Sequence, residues 1–171
     1  MVPEIRRILY ATDLSKNSSY AFFYAVDMAK KYGAFIVILH VVEPGRQISY
    51  AGPRIEAMMR SSKKEEQETD FEEIKEGLRE FCKTMENRVG HPCVDLVAKI
   101  LVPVGHPVEE ILNAVDEELC DVIVLGTHGK GFLRQTFLGS VAVSVLERTR
   151  KPVFIIPLPS EKTSIDNWDE L

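Results

Sequence analysis

Short apolar runs alternate with segments of helical period along the whole of this chain. Ile8-Leu9-Tyr10-Ala11-Thr12 is closed by Asp13, after which Ala21, Tyr24, Ala25, Met28 and Ala29 recur at helical spacing as far as Gly33. That pattern predicts a strand, then a helix that stops at the glycine. Ala34 to Val42 is almost wholly apolar and rich in β-branched residues, as suits a strand buried on both faces. From about Lys63 to Val89 the positions Phe71, Ile74, Leu78, Phe81, Met85 and Val89 return every three or four residues against a strongly charged remainder, the clearest amphipathic helix in the chain. Val94 to Val102 reads as a third strand. Gly105-His106-Pro107 then turns the chain into a helix with the proline near its first position, where no N–H is needed, and Glu109 and Glu110 complement the positive end of the helix dipole. Ile111, Leu112, Val115 and Leu119 would form its buried stripe. Asp121 to Gly126 gives a fourth strand, Ser140 to about Arg148 a fourth helix and Pro152 to Ile156 a fifth strand.

Strands and helices in this alternation predict an α/β fold: a single Rossmann-like domain over residues 1–159, with a five-stranded parallel sheet, helices on both faces and right-handed crossovers. The ligand crevice of such a sheet lies outside the carboxyl ends of the strands, where the strand order switches direction. Two segments stand apart. Residues 44–62 contain Gly45, Gly52 and Pro53 and show no clear period, although Ile55 to Arg60 could form a turn of helix, so the segment reads as a long mobile insertion or lid. Residues 160–171 are polar and acidic apart from Ile165 and Trp168, which reads as a disordered tail or a docking segment.

Composition narrows the class of partner. With 171 residues, 45% hydrophobic and 27% charged, the chain is long enough for one substantial core. A net charge of -5 argues against broad contact with a phosphate backbone, so bulk nucleic acid is not an expected partner. Cys82, Cys93 and Cys120 are odd in number and widely spaced, which reads as reduced thiols in a cytosol. Asp13 and Lys16 interrupt the only apolar stretch near the start, so a cytoplasmic protein without a signal peptide or membrane span is expected.

Chemistry concentrates in Gly126-Thr-His-Gly129-Lys-Gly131-Phe-Leu-Arg-Gln-Thr-Phe-Leu-Gly139-Ser140. This segment leaves a strand, passes through a glycine-rich loop and enters a helix. Glycines let backbone approach a phosphate, and the unpaired amides of a helix start point toward it. The dipole supplies only about 0.3 to 1 kcal/mol, so several amide bonds to the charged group, each roughly 1.5 to 3 kcal/mol, must do most of the holding. Two common templates fail. Phe132-Leu133 stand where a Walker loop needs Lys and Ser or Thr, and Arg134 stands where a dinucleotide fingerprint needs its third glycine.

The spacing Gly126-x2-Gly129-x9-Gly139-Ser140 does resemble that of the ATP-binding members of the universal stress protein family. The resemblance runs from Arg7 to Pro157 and includes Arg7-Ile-Leu-Tyr-Ala-Thr-Asp13, Leu39-His40-Val41, Gly105-x-Pro107 and Lys151-Pro152-Val153. It implies that Asp13 lies near the ribose or adenine of a nucleotide, that the backbone at Val41 lies beside the adenine, and that Gly126, Gly129, Gly139, Ser140 and Val141 cradle ribose and phosphates. With their neighbours Ala11, Thr12, Thr127, His128 and Lys130, these form the candidate nucleotide-binding set. The resemblance further implies ATP, ADP or AMP as ligand, Mg²⁺ or Mn²⁺ carried with the phosphates, and a homodimer through Val153, Phe154, Ile155 and Ile156. It points to a stress-response regulator acting through nucleotide-dependent conformation and read by a protein partner. Residues 44–62 and the acidic tail depart from many such proteins.

Each candidate has a plainer reading. The glycines could serve only as turns, Asp13 could be a helix cap, and Val41 would be buried in an apolar strand whatever its role. Lys130 and Arg134 could neutralise phosphate or simply be solvated. His128 has no nucleophile beside it, and His40, His91 and His106 lack paired ligand spacing, so neither a catalytic residue nor a protein-built metal site is expected. A slow ATP hydrolase and a nucleotide-free dimerisation module are the alternatives; efficient phosphoryl transfer would need a base or arginine finger that the sequence does not identify.

Overall fold

The computed structural model describes residues 2–44, 65–89, 92–127 and 138–157. Its elements are β1 (Arg7–Ala11), α1 (Lys16–Tyr32), β2 (Phe35–Leu39), α2 (Glu65–Val89), β3 (Val97–Leu101), α3 (Pro107–Glu117), β4 (Val122–Gly126), α4 (Ser140–Arg148) and β5 (Val153–Ile156). All strand pairs are parallel, in the order β3-β2-β1-β4-β5. Residues 45–62 of the insertion predicted at 44–62, and the tail predicted at 160–171, lie outside the described residues.

Side chains alternate across each strand, so successive residues of β1 feed opposite cores. Ile8 and Tyr10 pack with Ala21, Phe22, Ala25, Leu78 and Cys82 beneath α1 and α2. Leu9 packs with Val108, Ile111, Val115, Ala142 and Val145 beneath α3 and α4. Helices therefore cover both faces of an α/β sheet whose central strands are nearly free of polar residues, because neither face meets water. The chain builds outward from β1 to β2 and β3, then returns to the other side of β1 with β4. The order switches between β1 and β4, which run side by side from Ile8 opposite Val122 to Tyr10 opposite Val124.

Local signals act as the sequence suggests at two helix ends. Gly33 takes φ 63, a left-handed conformation that ends α1, and its N–H bonds the Ala29 carbonyl. Pro107 occupies the first turn of α3, with Glu109 and Glu110 in the same turn. Three expectations need correction. Val94–Leu96 form a 3-10 turn, closed by the Leu96 N–H on Cys93 O at 3.1 Å, and the third strand begins only at Val97. Leu119 is 76% exposed rather than buried, because α3 ends at Glu117 and the chain reverses through a positive φ of 53 at Leu119; Cys120 takes the buried place. Tyr24 points to solvent, its hydroxyl 3.1 Å from that of Tyr20.

Candidate functional site

Two loops leave the sheet side by side at its switch point, one after β1 and one after β4. The first is held by a buried polar cluster. Tyr10 donates to the Ser18 carbonyl at 2.7 Å, and burial pushes its phenol well above the ordinary value, so it stays protonated as a donor. Thr12 Oγ1 lies 2.7 Å from Ser18 Oγ and accepts from the Leu14 N–H at 3.0 Å. The Thr12 N–H bonds Leu39 O, and the Thr12 carbonyl lies 2.9 Å from His40 Nδ1. Within this frame Leu14 takes φ 63, a region that a leucine occupies only where the surroundings fix it.

Asp13 sits on this fixed turn, half-buried, with Oδ1 accepting from the Ser15 N–H at 3.1 Å. Ser15, not Asp13, caps α1, its hydroxyl accepting from the Ser18 N–H. The turn role of Asp13 is thus present. Ala11 and Thr12 lie immediately before it at the strand end. Val41 is half-buried two residues beyond the end of β2, and the chain there is tied to the β3–α3 connection by Val42 N–H to Pro103 O and Gly105 N–H to Val42 O, at 2.9 and 3.0 Å.

The second loop begins at Gly126 and Thr127. The Thr127 N–H bonds Ile156 O at 3.0 Å, and its carbonyl accepts from the Gly139 N–H at 2.7 Å, so the end of β4 is tied directly to the residue that precedes α4. This commits the Gly139 amide. The amides of Ser140, Val141 and Ala142, in the first turn of α4, have no backbone acceptor among the described residues. Gly139 itself is the cap residue, at φ −68 and ψ 154, and offers no side chain to satisfy them. His128, Gly129 and Lys130 lie outside the described residues.

The structure therefore brings Thr12 and Asp13 to the end of β1 and Gly126, Thr127, Gly139, Ser140 and Val141 to the end of the adjacent β4. Among the described residues no group of three or more His, Cys, Asp or Glu side chains could hold a metal ion.

Residues 4–157 match the profile of the universal stress protein family. The chain belongs to that family. It is 28% identical over 154 residues to a universal stress protein of Methanocaldococcus jannaschii, a match covering 88% of this chain and 94% of the relative. In architecture it is similar to the universal stress protein UspA from Lactobacillus plantarum, with a TM-score of 0.67 at 20% identity over 91% of this chain and 99% of the other. Two further family structures share the fold and were solved with nucleotides. One universal stress protein is in complex with cAMP, at TM-score 0.56 and 22% identity over 90% of this chain and 98% of the other. The other, from Archaeoglobus fulgidus, is in complex with dAMP, at TM-score 0.54 and 23% identity over 91% and 99%. No described helix of this universal stress protein is long and apolar enough to cross a membrane.

The sequence motifs mark neither Leu14 nor Ser18, and include His40 only within Leu39-His40-Val41 and among the histidines without paired ligand spacing. Positive φ at a leucine has no sequence signature, and Ser18 looks like an ordinary helix residue. His40 did carry a signal: a lone polar side chain inside the apolar run from Ala34 to Val42 needs a buried partner.

Proposed function

We propose that this universal stress protein binds an adenine nucleotide, ATP included, across the crevice between the ends of β1 and β4, and acts as a regulator through that binding. The observation that carries the reading is the closure of Gly139 on Thr127, which sets the first turn of α4, whose Ser140, Val141 and Ala142 amides have no backbone acceptor among the described residues, at the end of β4, beside the Asp13 turn at the end of β1. Ser140 and Val141 amides would hold phosphate, with Gly126, Gly129 and Gly139 giving room and His128 and Lys130 completing the loop. Asp13, with Ala11 and Thr12 behind it, would meet the ribose, and Val41 the adenine edge. The cAMP and dAMP complexes of related proteins support a nucleoside monophosphate at least. A triphosphate would bring Mg²⁺ or Mn²⁺ as its counter-ion.

Titration calorimetry with AMP, ADP and ATP, with and without Mg²⁺, tests this on the wild type and on Gly139→Leu. The backbone angles at Gly139 are ordinary for any residue, so the leucine adds bulk without backbone strain. Affinity is expected to fall at least about tenfold, the equivalent of 1.4 kcal/mol. Undiminished affinity would show that the phosphates lie elsewhere.

A further inference from the structure

We infer that His40 is a positioning residue of the nucleotide site, fixing the turn that carries Asp13 through the carbonyl of Thr12. The inference rests on the nucleotide reading above and names a residue that would touch no part of the ligand. His40 lies one residue past β2 and is 2% exposed. Its Nδ1 is 2.9 Å from Thr12 O. A carbonyl can only accept, so Nδ1 carries the hydrogen, and in the neutral ring Nε2 is then an acceptor.

Thr12 has its N–H, hydroxyl and carbonyl all engaged, by Leu39, by Ser18 with Leu14, and by His40. The three holds differ in reach. The Leu39 bond continues the sheet, and the hydroxyl bonds tie the turn to α1. The His40 bond grips the peptide plane between Thr12 and Asp13 directly, and so bears on the direction in which Asp13 leaves the strand. The next residue, Leu14, sits at φ 63, which leaves the turn little tolerance for rotation of that plane. His40 also precedes Val41 directly. One imidazole thus ties together the two flanks of the crevice assigned to ribose and adenine, and a change there would move both.

The alternative is a buried histidine that matters only for folding. Two variants separate the readings. In His40→Asn the side-chain amide nitrogen occupies the place of Nδ1 and can still donate to Thr12, whereas in His40→Gln it sits near the place of Nε2 and cannot. Each is titrated with AMP, and hydrogen exchange of the Leu14 and Ser15 amides is followed without ligand. We expect His40→Asn to bind within about threefold of wild type and His40→Gln at least about tenfold more weakly. The Leu14 and Ser15 amides should lose protection in the glutamine variant alone. Should His40→Gln fail to fold, His40→Ala with added imidazole gives the same readout, the imidazole restoring affinity. Equal AMP affinity in wild type and both variants, or equal losses in both with unchanged protection, overturns the positioning role while leaving the nucleotide reading in place. Absence of AMP binding by the wild type overturns the nucleotide reading itself, and this inference with it.

Discussion

Asp121 grips the start of β1: its Oδ2 accepts the backbone N–H of Arg7 at 2.9 Å, and that of Arg6 at 2.8 Å, across more than a hundred residues of sequence. Arg7 returns the contact by donating to the Glu118 carbonyl just before β4. These bonds lock the register of β1 against β4 at the end opposite the candidate site. Asp121→Ala should lower stability by about 2 kcal/mol, since two hydrogen bonds to a charged group are lost. Asp121→Asn, whose one carbonyl oxygen can take the place of Oδ2 and keep both bonds without the charge, should lose about half of that. Urea denaturation with an unchanged m-value checks both; an Ala variant as stable as wild type would show that the clamp is idle.

Leu119 offers the opposite opportunity. It is exposed and holds φ 53, a conformation that costs a non-glycine residue about 1 to 2 kcal/mol and that asparagine tolerates better. Leu119→Asn should therefore raise stability by about 0.5 kcal/mol without altering ligand affinity. A lowered thermal midpoint would mean that the side chain has a packing role.

The three cysteines should be silent in the native state. All are buried thiols outside any disulfide, and burial pushes Cys82 up to about 12 and Cys120 up to about 11, with Cys93 raised by the same cause. Against an ordinary value of about 8.5, native Cys120 at pH 8 is about one part in a thousand thiolate. Alkylation at pH 8 should wait for unfolding. The sign of the linkage follows: folding favours the protonated thiols, so their contribution is complete below about pH 8.5 and is lost as the pH rises toward their native values. Rapid alkylation of the folded protein would contradict this.

The homodimer that the family resemblance implies makes a separate claim on β5. That strand pairs with β4 alone among the described residues, and its Phe154 is 44% exposed. Phe154→Asp should halve the mass measured by sedimentation while leaving the monomer folded, because an apolar edge is being charged rather than a core opened. A variant that remains dimeric would move the interface elsewhere.

Much of this was legible in the residues. Continuous apolar runs such as Ala34 to Val42 announce strands buried on both faces, and Gly33 and Pro107 mark helix boundaries by backbone chemistry that sequence displays directly. What was not legible depends on tertiary geometry. Val94–Leu96 have strand-like composition yet form a 3-10 turn, and Leu119 continues a helical period that the helix itself does not reach. At the site, the glycine spacing located the loop but could not say that Gly139 gives its own N–H to Thr127, or that Thr12 is gripped by a histidine 28 residues away.

The most direct test of nucleotide binding at the switch point is residue-resolved: amide chemical shifts of the ¹⁵N-labelled protein during titration with ATP and Mg²⁺. Saturable shifts at Asp13, Val41, Thr127, Ser140 and Val141, with the amides at the opposite end of the sheet near Arg7 and Asp121 unmoved, are the predicted result. No saturable shift at millimolar ATP, or shifts confined to other surfaces, would contradict it.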